Sequence, residues 1–383
     1  MTTERQYMID KLLLFPYWVA LKTRHLMFDC GLRKQHRTEV PSICVGNIAV
    51  GGTGKTPHTE MILRTLLADE DWSGKNIAVL SRGYKRKTRG FQQVTFDGTA
   101  AEYGDEPLQI KKKFPIVTVA VDKSRKEGCD FLCHPELLHK SKKAKRCKDK
   151  NIPKADMIIL DDAFQHRSIK ATANIVLIDH NRPLFKDHLM PLGRLRDLPE
   201  RISDADIVIV TKCPGDINAW EKSQWAEALG IRMYEASTCS GKRSDGRKQY
   251  LFFTKIQYDT PLAVFDGGDS RYVYSKRLVL FSGIANDAPM KAFLSSDYKI
   301  VRHLKFADHH KFSRADIRSI EDAVKDFPTA VAMTTEKDCQ RLRDCKRVSD
   351  NLKLRLFYMP IKSEFLCQED KEQFTAVLTS FLK

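Results

Sequence analysis

The sequence has no uninterrupted apolar stretch of the roughly 20 residues that a membrane-spanning helix needs. Its longest apolar stretches, such as Leu12 to Val19, fall far short. The first residues lack a basic start, an apolar core and a small-residue cleavage site, so no secretory signal peptide is expected. Paired-ligand cysteine spacing is missing too. Ten cysteines are scattered, and the nearest approach, Cys129 and Cys133, has no second pair nearby. That usage fits reduced thiols in a cytosolic setting and speaks against a metal site at Cys133-His134. Acids are scarce: 49 Asp and Glu stand against 65 Lys and Arg, a formal charge of +16. Such an excess predicts anionic partners (nucleotide, nucleic acid or a membrane surface) without choosing among them.

At 383 residues the chain exceeds a typical single domain of about 100–200 residues, so two domains are expected. The strongest signal runs from Ser42 to Thr56. An apolar strand around Ile43 to Val45 leads through a glycine cluster into Gly54-Lys55-Thr56 and a helical pattern. This is strand, phosphate loop, helix. Gly51, Gly52, Thr53 and Gly54 let successive backbone N–H groups face an anion, Lys55 reaches the β- and γ-phosphates, and Thr56 offers its hydroxyl to Mg²⁺. The first glycine of the common pattern is absent, since Ala49 stands in its place. The loop alone establishes only the binding of a nucleoside triphosphate.

A second signal is Met157 to Asp162, an apolar strand ending in two acids. Next to a phosphate loop, Asp161 and Asp162 become candidate Mg²⁺ ligands. Ile77 to Leu80 is a strand ending in Ser81-Arg82-Gly83-Tyr84, at the sheet edge where open α/β folds bind ligands. Gly104-Asp105-Glu106-Pro107 opens a helix, and capping by Asp105 explains it adequately. Arg194 and Arg196, in Pro191-Leu192-Gly193-Arg194-Leu195-Arg196, suit phosphate oxygens. Thr211-Lys212-Cys213-Pro214 ends a further strand and has Pro214 where a guanine-reading loop needs Asp, which favours ATP.

Residues 5–37 interleave Phe15, Tyr17, Trp18 and Leu26 with Lys22, Arg24 and Arg33, broken by Pro16. They read either as an interfacial amphipathic segment or as a helix packed on the domain. Residues 138–154, rich in Lys and Arg, read as an exposed insertion. Beyond residue 216, strand patterns at 250–253 and 262–265 link to a second α/β lobe with strands at 277–284, 299–304, 330–333 and 352–359, and helices at 314–326 and 370–382. That lobe carries Phe306-Ala307-Asp308-His309-His310, which could supply metal ligands, a base or plain loop residues.

In this order, the loop at 45–57, Ser-Arg-Gly-Tyr at 81, Gly-Asp-Glu-Pro at 104, Asp-Asp-Ala-Phe-Gln-His at 161, Pro-Leu-Gly-Arg-Leu-Arg at 191, Phe-Ala-Asp-His-His at 306 and Thr-Glu-Lys-Asp at 335 resemble the tetraacyldisaccharide 4'-kinases of lipid A biosynthesis. The resemblance spans nearly the whole chain. It implies two α/β/α lobes: a P-loop NTPase-like parallel sheet at 38–225, a β-strand linker at 226–275 and a smaller α/β domain at 276–383, with a membrane-associating segment at 1–37. It also implies transfer of the ATP γ-phosphoryl group, with Mg²⁺, to the 4'-hydroxyl of tetraacyldisaccharide 1-phosphate at the cytoplasmic face of the bacterial inner membrane. Asp105 then changes from cap to catalyst, paired with His309 or His310, while Lys55 holds the phosphates and Arg196 or Arg194 neutralises phosphate charge. A P-loop regulatory or metallochaperone-type NTPase is the alternative. A nucleic-acid partner is not expected, because no recognition module is present.

Overall fold

The computed structural model describes residues 2–345 and 347–383, with side chains from Leu14 onward. Helix α1 (Thr2–Asp29) continues through Pro16, where the sequence pattern suggests a break. Proline forfeits one intrahelical bond, but Leu14 and Leu21, both buried in the main core, flank it and hold the two halves in place. The opposite side of α1 leaves Phe15, Trp18, Val19 and Leu26 exposed. The side chains of Leu12 and Leu13, part of the same sequence pattern, lie outside the described residues.

The large lobe begins with β1 (Ser42–Asn47), α2 (Lys55–Ala68), β2 (Ile77–Ser81), β3 (Gln92–Gln93), α3 (Asp105–Lys113) and β4 (Thr118–Val121). It continues through α4 (Arg125–Cys133), β5 (Met157–Asp161), β6 (Ala173–Asp179), β7 (Ile207–Thr211), β8 (Arg232–Glu235), β9 (Ser240–Lys242) and β10 (Lys248–Tyr258). These strands order as β8-β9-β10-β7-β6-β1-β5-β2-β4-β3, and the run from β10 to β4 is parallel. Covered on both faces, the central strands can be apolar without alternation. Ile43 and Val45 pack with Met61, Ile62 and Leu66 of α2, whereas Cys44 faces the opposite core with Leu14 and Leu21.

The small lobe comprises β11 (Leu262–Ala263), β12 (Arg277–Ser282), α5 (Ala288–Asp297), β13 (Lys299–Lys305), α6 (Arg314–Asp326), β14 (Val331–Thr335), α7 (Glu336–Arg343) and β15 (Leu356–Met359). Its sheet runs β11-β15-β14-β12-β13, parallel except at β11. Of the strand expected at 352–359, residues 352–355 are instead helical, within Asp350–Arg355, because Ser349 accepts the Leu352 N–H at 3.4 Å and caps a turn there.

Two boundaries differ from the sequence reading. Residues 226–258 are not a linker, since β8, β9 and β10 extend the large sheet. Nor does the last stretch belong to the small lobe. Strand β16 (Ile361–Phe365) pairs with β10, and α8 (Gln368–Leu382) sets Phe374 against Phe252 and Phe365 in the large lobe's core. The stretch 138–154 exposes Lys142, Lys143, Lys145, Arg146 and Lys148 but buries Leu138, Ala144, Cys147 and Ile152, which fasten it to the core.

Candidate active site

The phosphate loop leaves β1 at Asn47, a residue the sequence reading passed over. Buried Asn47 donates from Nδ2 to the Ala49 carbonyl at 2.6 Å and to Thr53 Oγ1 at 2.9 Å, while its Oδ1 accepts from Lys55 Nζ at 3.4 Å. One amide thus fixes both limbs of the loop and its lysine. From the other side, Thr211 Oγ1 donates to the Thr53 carbonyl at 3.0 Å, and Lys212 joins the Gly52 carbonyl to Asp179. The strand end that lacks a guanine-reading Asp therefore braces the loop. Gly54 caps α2 at φ 86 and no side chain occupies the cap, so the first helical N–H groups face outward toward an anion. Behind them, His58 of α2 bonds the Gly54 carbonyl at 2.7 Å and Thr254 Oγ1 at 2.9 Å. Burial pushes its pKa down to about 4, keeping it neutral.

Asp161 and Asp162 end β5 in contrasting environments. Asp161 is buried; Oδ2 accepts from Ser81 Oγ at 3.0 Å, while Oδ1 has no hydrogen-bond partner among the described residues. Burial, reinforced by the charges of Glu106 and Asp162, pushes its pKa up to about 6. Asp162 is also desolvated, but Lys55, 3.7 Å away, and the Arg196 guanidinium bring it down to about 2. Arg196 grips both Asp162 oxygens, one contact being 3.3 Å. Arg194 is exposed, and its backbone carbonyl accepts the Val50 N–H of the loop at 2.7 Å.

Asp105 is the first residue of α3, and Gly104 occupies the cap position. The capping role is therefore absent: its only backbone bond is to the neighbouring Glu106 N–H at 3.2 Å. Its Oδ2 lies 3.3 Å from His309 Nδ1 of the small lobe, a pairing across 204 positions of sequence. His309 sits at φ 57 in the loop after β13, with Tyr84 edge-on at 5.5 Å. His310 turns away, bonding Asp316 at 2.9 Å and stacking on Phe306. Burial opposes ionisation of Asp105, yet the His309 hydrogen bond and the charges of Lys337 and Arg341 hold its pKa at about 2.

Helix α7 closes the two lobes on each other. Lys337 pairs with Glu106, Arg341 lies 3.6 Å from Asp105, and Glu336 meets Lys113 at 2.6 Å, which also reaches Glu60 of α2 at 2.8 Å. Burial and the Glu60 charge raise the Glu336 pKa. None of these lobe-to-lobe pairs had a local sequence signature, since each joins elements far apart in the chain.

The family model described as "Tetraacyldisaccharide-1-P 4'-kinase" matches residues 11–383. A protein of Phocaeicola vulgatus named tetraacyldisaccharide 4'-kinase is 36% identical over 373 residues, covering 96% of this chain and 93% of its own. One of the same name from Flavobacterium psychrophilum is 37% identical over 365 residues, covering 94% and 93%. In fold, the chain resembles the crystal structure of LpxK from Aquifex aeolicus in complex with ATP, with a TM-score of 0.66, 22% identity and coverage of 97% of this chain and 99% of that one. Phosphate loop, paired strand-end acids and two α/β lobes accord with these similarities, and the chain belongs to the tetraacyldisaccharide 4'-kinase family.

Proposed function

We propose that this chain transfers the γ-phosphoryl group of ATP to the 4'-hydroxyl of a tetraacylated disaccharide 1-phosphate. Beside family membership, the observation that carries this reading is the meeting of Asp105 and His309 from different lobes, on the same cluster of charges as the phosphate loop. A loop alone suits any NTPase. A carboxylate–imidazole pair in addition suits an acceptor hydroxyl whose proton must leave as the oxygen attacks.

In the reaction, the sugar oxygen forms a bond to the γ-phosphorus and the bridge to the β-phosphate breaks, releasing ADP. The hydroxyl proton passes to the Asp105–His309 pair. Lys55, Arg196 and the N–H groups of Gly51 to Thr56 neutralise and hold the phosphates. The residues also fit Mg²⁺: the buried, unpartnered Asp161 Oδ1 and its raised pKa mark a carboxylate short of a cation. Thr56 with Asp161 or Asp162 would hold the ion, few protein ligands being usual for Mg²⁺ at phosphate sites. When bound, Mg²⁺ screens the phosphate charge.

Incubation of the protein with γ-labelled ATP and detergent-dispersed tetraacyldisaccharide 1-phosphate is expected to put label in the lipid. ATP hydrolysis with no labelled lipid would support the regulatory NTPase instead. Mg²⁺ affinity gives a pH test. A carboxylate with a raised pKa is protonated below about 6, and the proton competes with the ion. Calorimetry with a non-hydrolysable ATP analogue should therefore show Mg²⁺ affinity weakening as pH falls through about 6, and losing that step in Asp161→Asn.

The acylated acceptor belongs in a bilayer, and no described helix is long and apolar enough to cross one. The exposed Phe15, Trp18, Val19 and Leu26 of α1 suit insertion at the cytoplasmic surface of the inner membrane, with exposed Lys22 available to the headgroups. Phe15→Glu with Trp18→Glu should lower co-sedimentation with anionic vesicles by about tenfold or more, while activity on detergent-dispersed lipid persists. Equal sedimentation would count against this membrane face.

A further inference from the structure

Asp105 and His309 stand on separate lobes, so something must hold one relative to the other. Arg341 of α7 touches both sides. Its Nε lies 3.6 Å from Asp105 Oδ2, the same oxygen that His309 Nδ1 approaches at 3.3 Å. One terminal nitrogen donates to the His310 carbonyl at 3.0 Å and stands 3.5 Å from the Gly283 carbonyl. The other lies 3.1 Å from Asp338 Oδ1. Asp338 is itself pinned, accepting the Gly283 N–H at 2.9 Å and the Thr335 hydroxyl at 2.7 Å. Only about a tenth of the Arg341 side chain is exposed.

From this geometry we propose that Arg341 is a positioning residue for phosphoryl transfer, one planar guanidinium that sets Asp105 against the His309 loop. The proposal rests on the reading of Asp105 and His309 as the proton acceptor. The planar guanidinium donates to the loop carbonyl while its other nitrogens lie against two carboxylates, a spread that a point charge on a flexible stem does not reproduce. The other charged groups facing Asp105 are His309 and Lys337, with Glu106 beside it on α3. Lys337 is already committed to Glu106. Arg341 alone among these cations spans both Asp105 and the backbone of the His309 loop. Its charge adds to those that hold Asp105 ionised despite burial.

The test is a double-mutant cycle in the lipid-labelling assay, with thermal midpoint and ATP binding measured on every variant. Arg341→Gln should lower kcat by roughly 30- to 100-fold, with KM for ATP within about twofold of wild type. Arg341→Lys, keeping charge without the fork, should recover part of the loss. A residue acting only through Asp105 has nothing further to remove once that group is disabled. Arg341→Gln added to Asp105→Asn should therefore cost no more than about twofold beyond Asp105→Asn alone. Losses that multiply in the double variant, or an unchanged kcat in Arg341→Gln while Asp105→Asn is crippled, would overturn the positioning role alone. Full activity in Asp105→Asn would instead remove the proton-acceptor reading, and the proposal with it.

Discussion

Lys55→Ala should lower labelling of the lipid by roughly 10³-fold, about 4 kcal/mol of transition-state stabilisation. Two losses combine in this variant. The first is direct: the ammonium is held 3.4 Å from Asn47 Oδ1 and 3.7 Å from Asp162, a preset position above the loop, so it meets developing phosphate charge without rearranging. The second is indirect. The Lys55 charge helps hold Asp162 ionised, and without it the Arg196 hydrogen bond and the charges of Arg196 and Arg125 are left to offset burial. The Asp162 pKa should then rise. Steady-state kinetics should show both a lower kcat and a higher KM for ATP, because the lysine serves bound nucleotide as well as transition state. Turnover within tenfold of wild type would remove Lys55 from the catalytic set.

Asp105→Asn is expected to differ in kind. Loss of a general base costs about 10²–10⁴-fold, and here it should fall on kcat, with calorimetric ATP affinity changed by less than about threefold. The substitution keeps the volume but removes the charge that Arg341 and Lys337 face, so some loss of thermal midpoint accompanies it. His309→Ala separates the two effects, since it leaves those cations in place. Should Asp105→Asn retain wild-type kcat, the hydroxyl proton must leave by another route.

Much of the nucleotide half is legible locally. The glycine cluster between an apolar strand and a helix announces the loop, and Met157 to Asp162 announces its acidic neighbour, because both functions are built from contiguous residues. Local pattern fails where a residue's partner is distant. Asp105 at the start of a helix reads as a cap, and only the small lobe's approach turns it toward His309. Asn47 carries no signal beyond its place at a strand end, yet it staples the loop. The run at 250–253 is recognisable as strand, but its membership of the large sheet depends on pairing with β7, and the strands at 232–235 and 240–242 lie in a stretch that reads as helix and polar loop. At 350–355, Ser349 and Asp350 supply a helix start that outweighs the apolar residues following it.

The closing pair β16 and α8 has a consequence for how the chain is made. As it emerges from the ribosome, the nucleotide-binding lobe appears first but remains unfinished, because part of its sheet and one flank of its core arrive with residues 361–382, after the small lobe. The small lobe, encoded at 262–359, is complete before its larger neighbour. Synthesis from the N-terminus thus reverses the usual order in which domains become whole. Ser363 of β16 lies 3.2 Å from the His58 ring behind the phosphate loop. A nascent chain stopped near residue 360 would carry every phosphate-loop residue yet lack the strand that backs them, so the loop's backing follows the small lobe in order of synthesis.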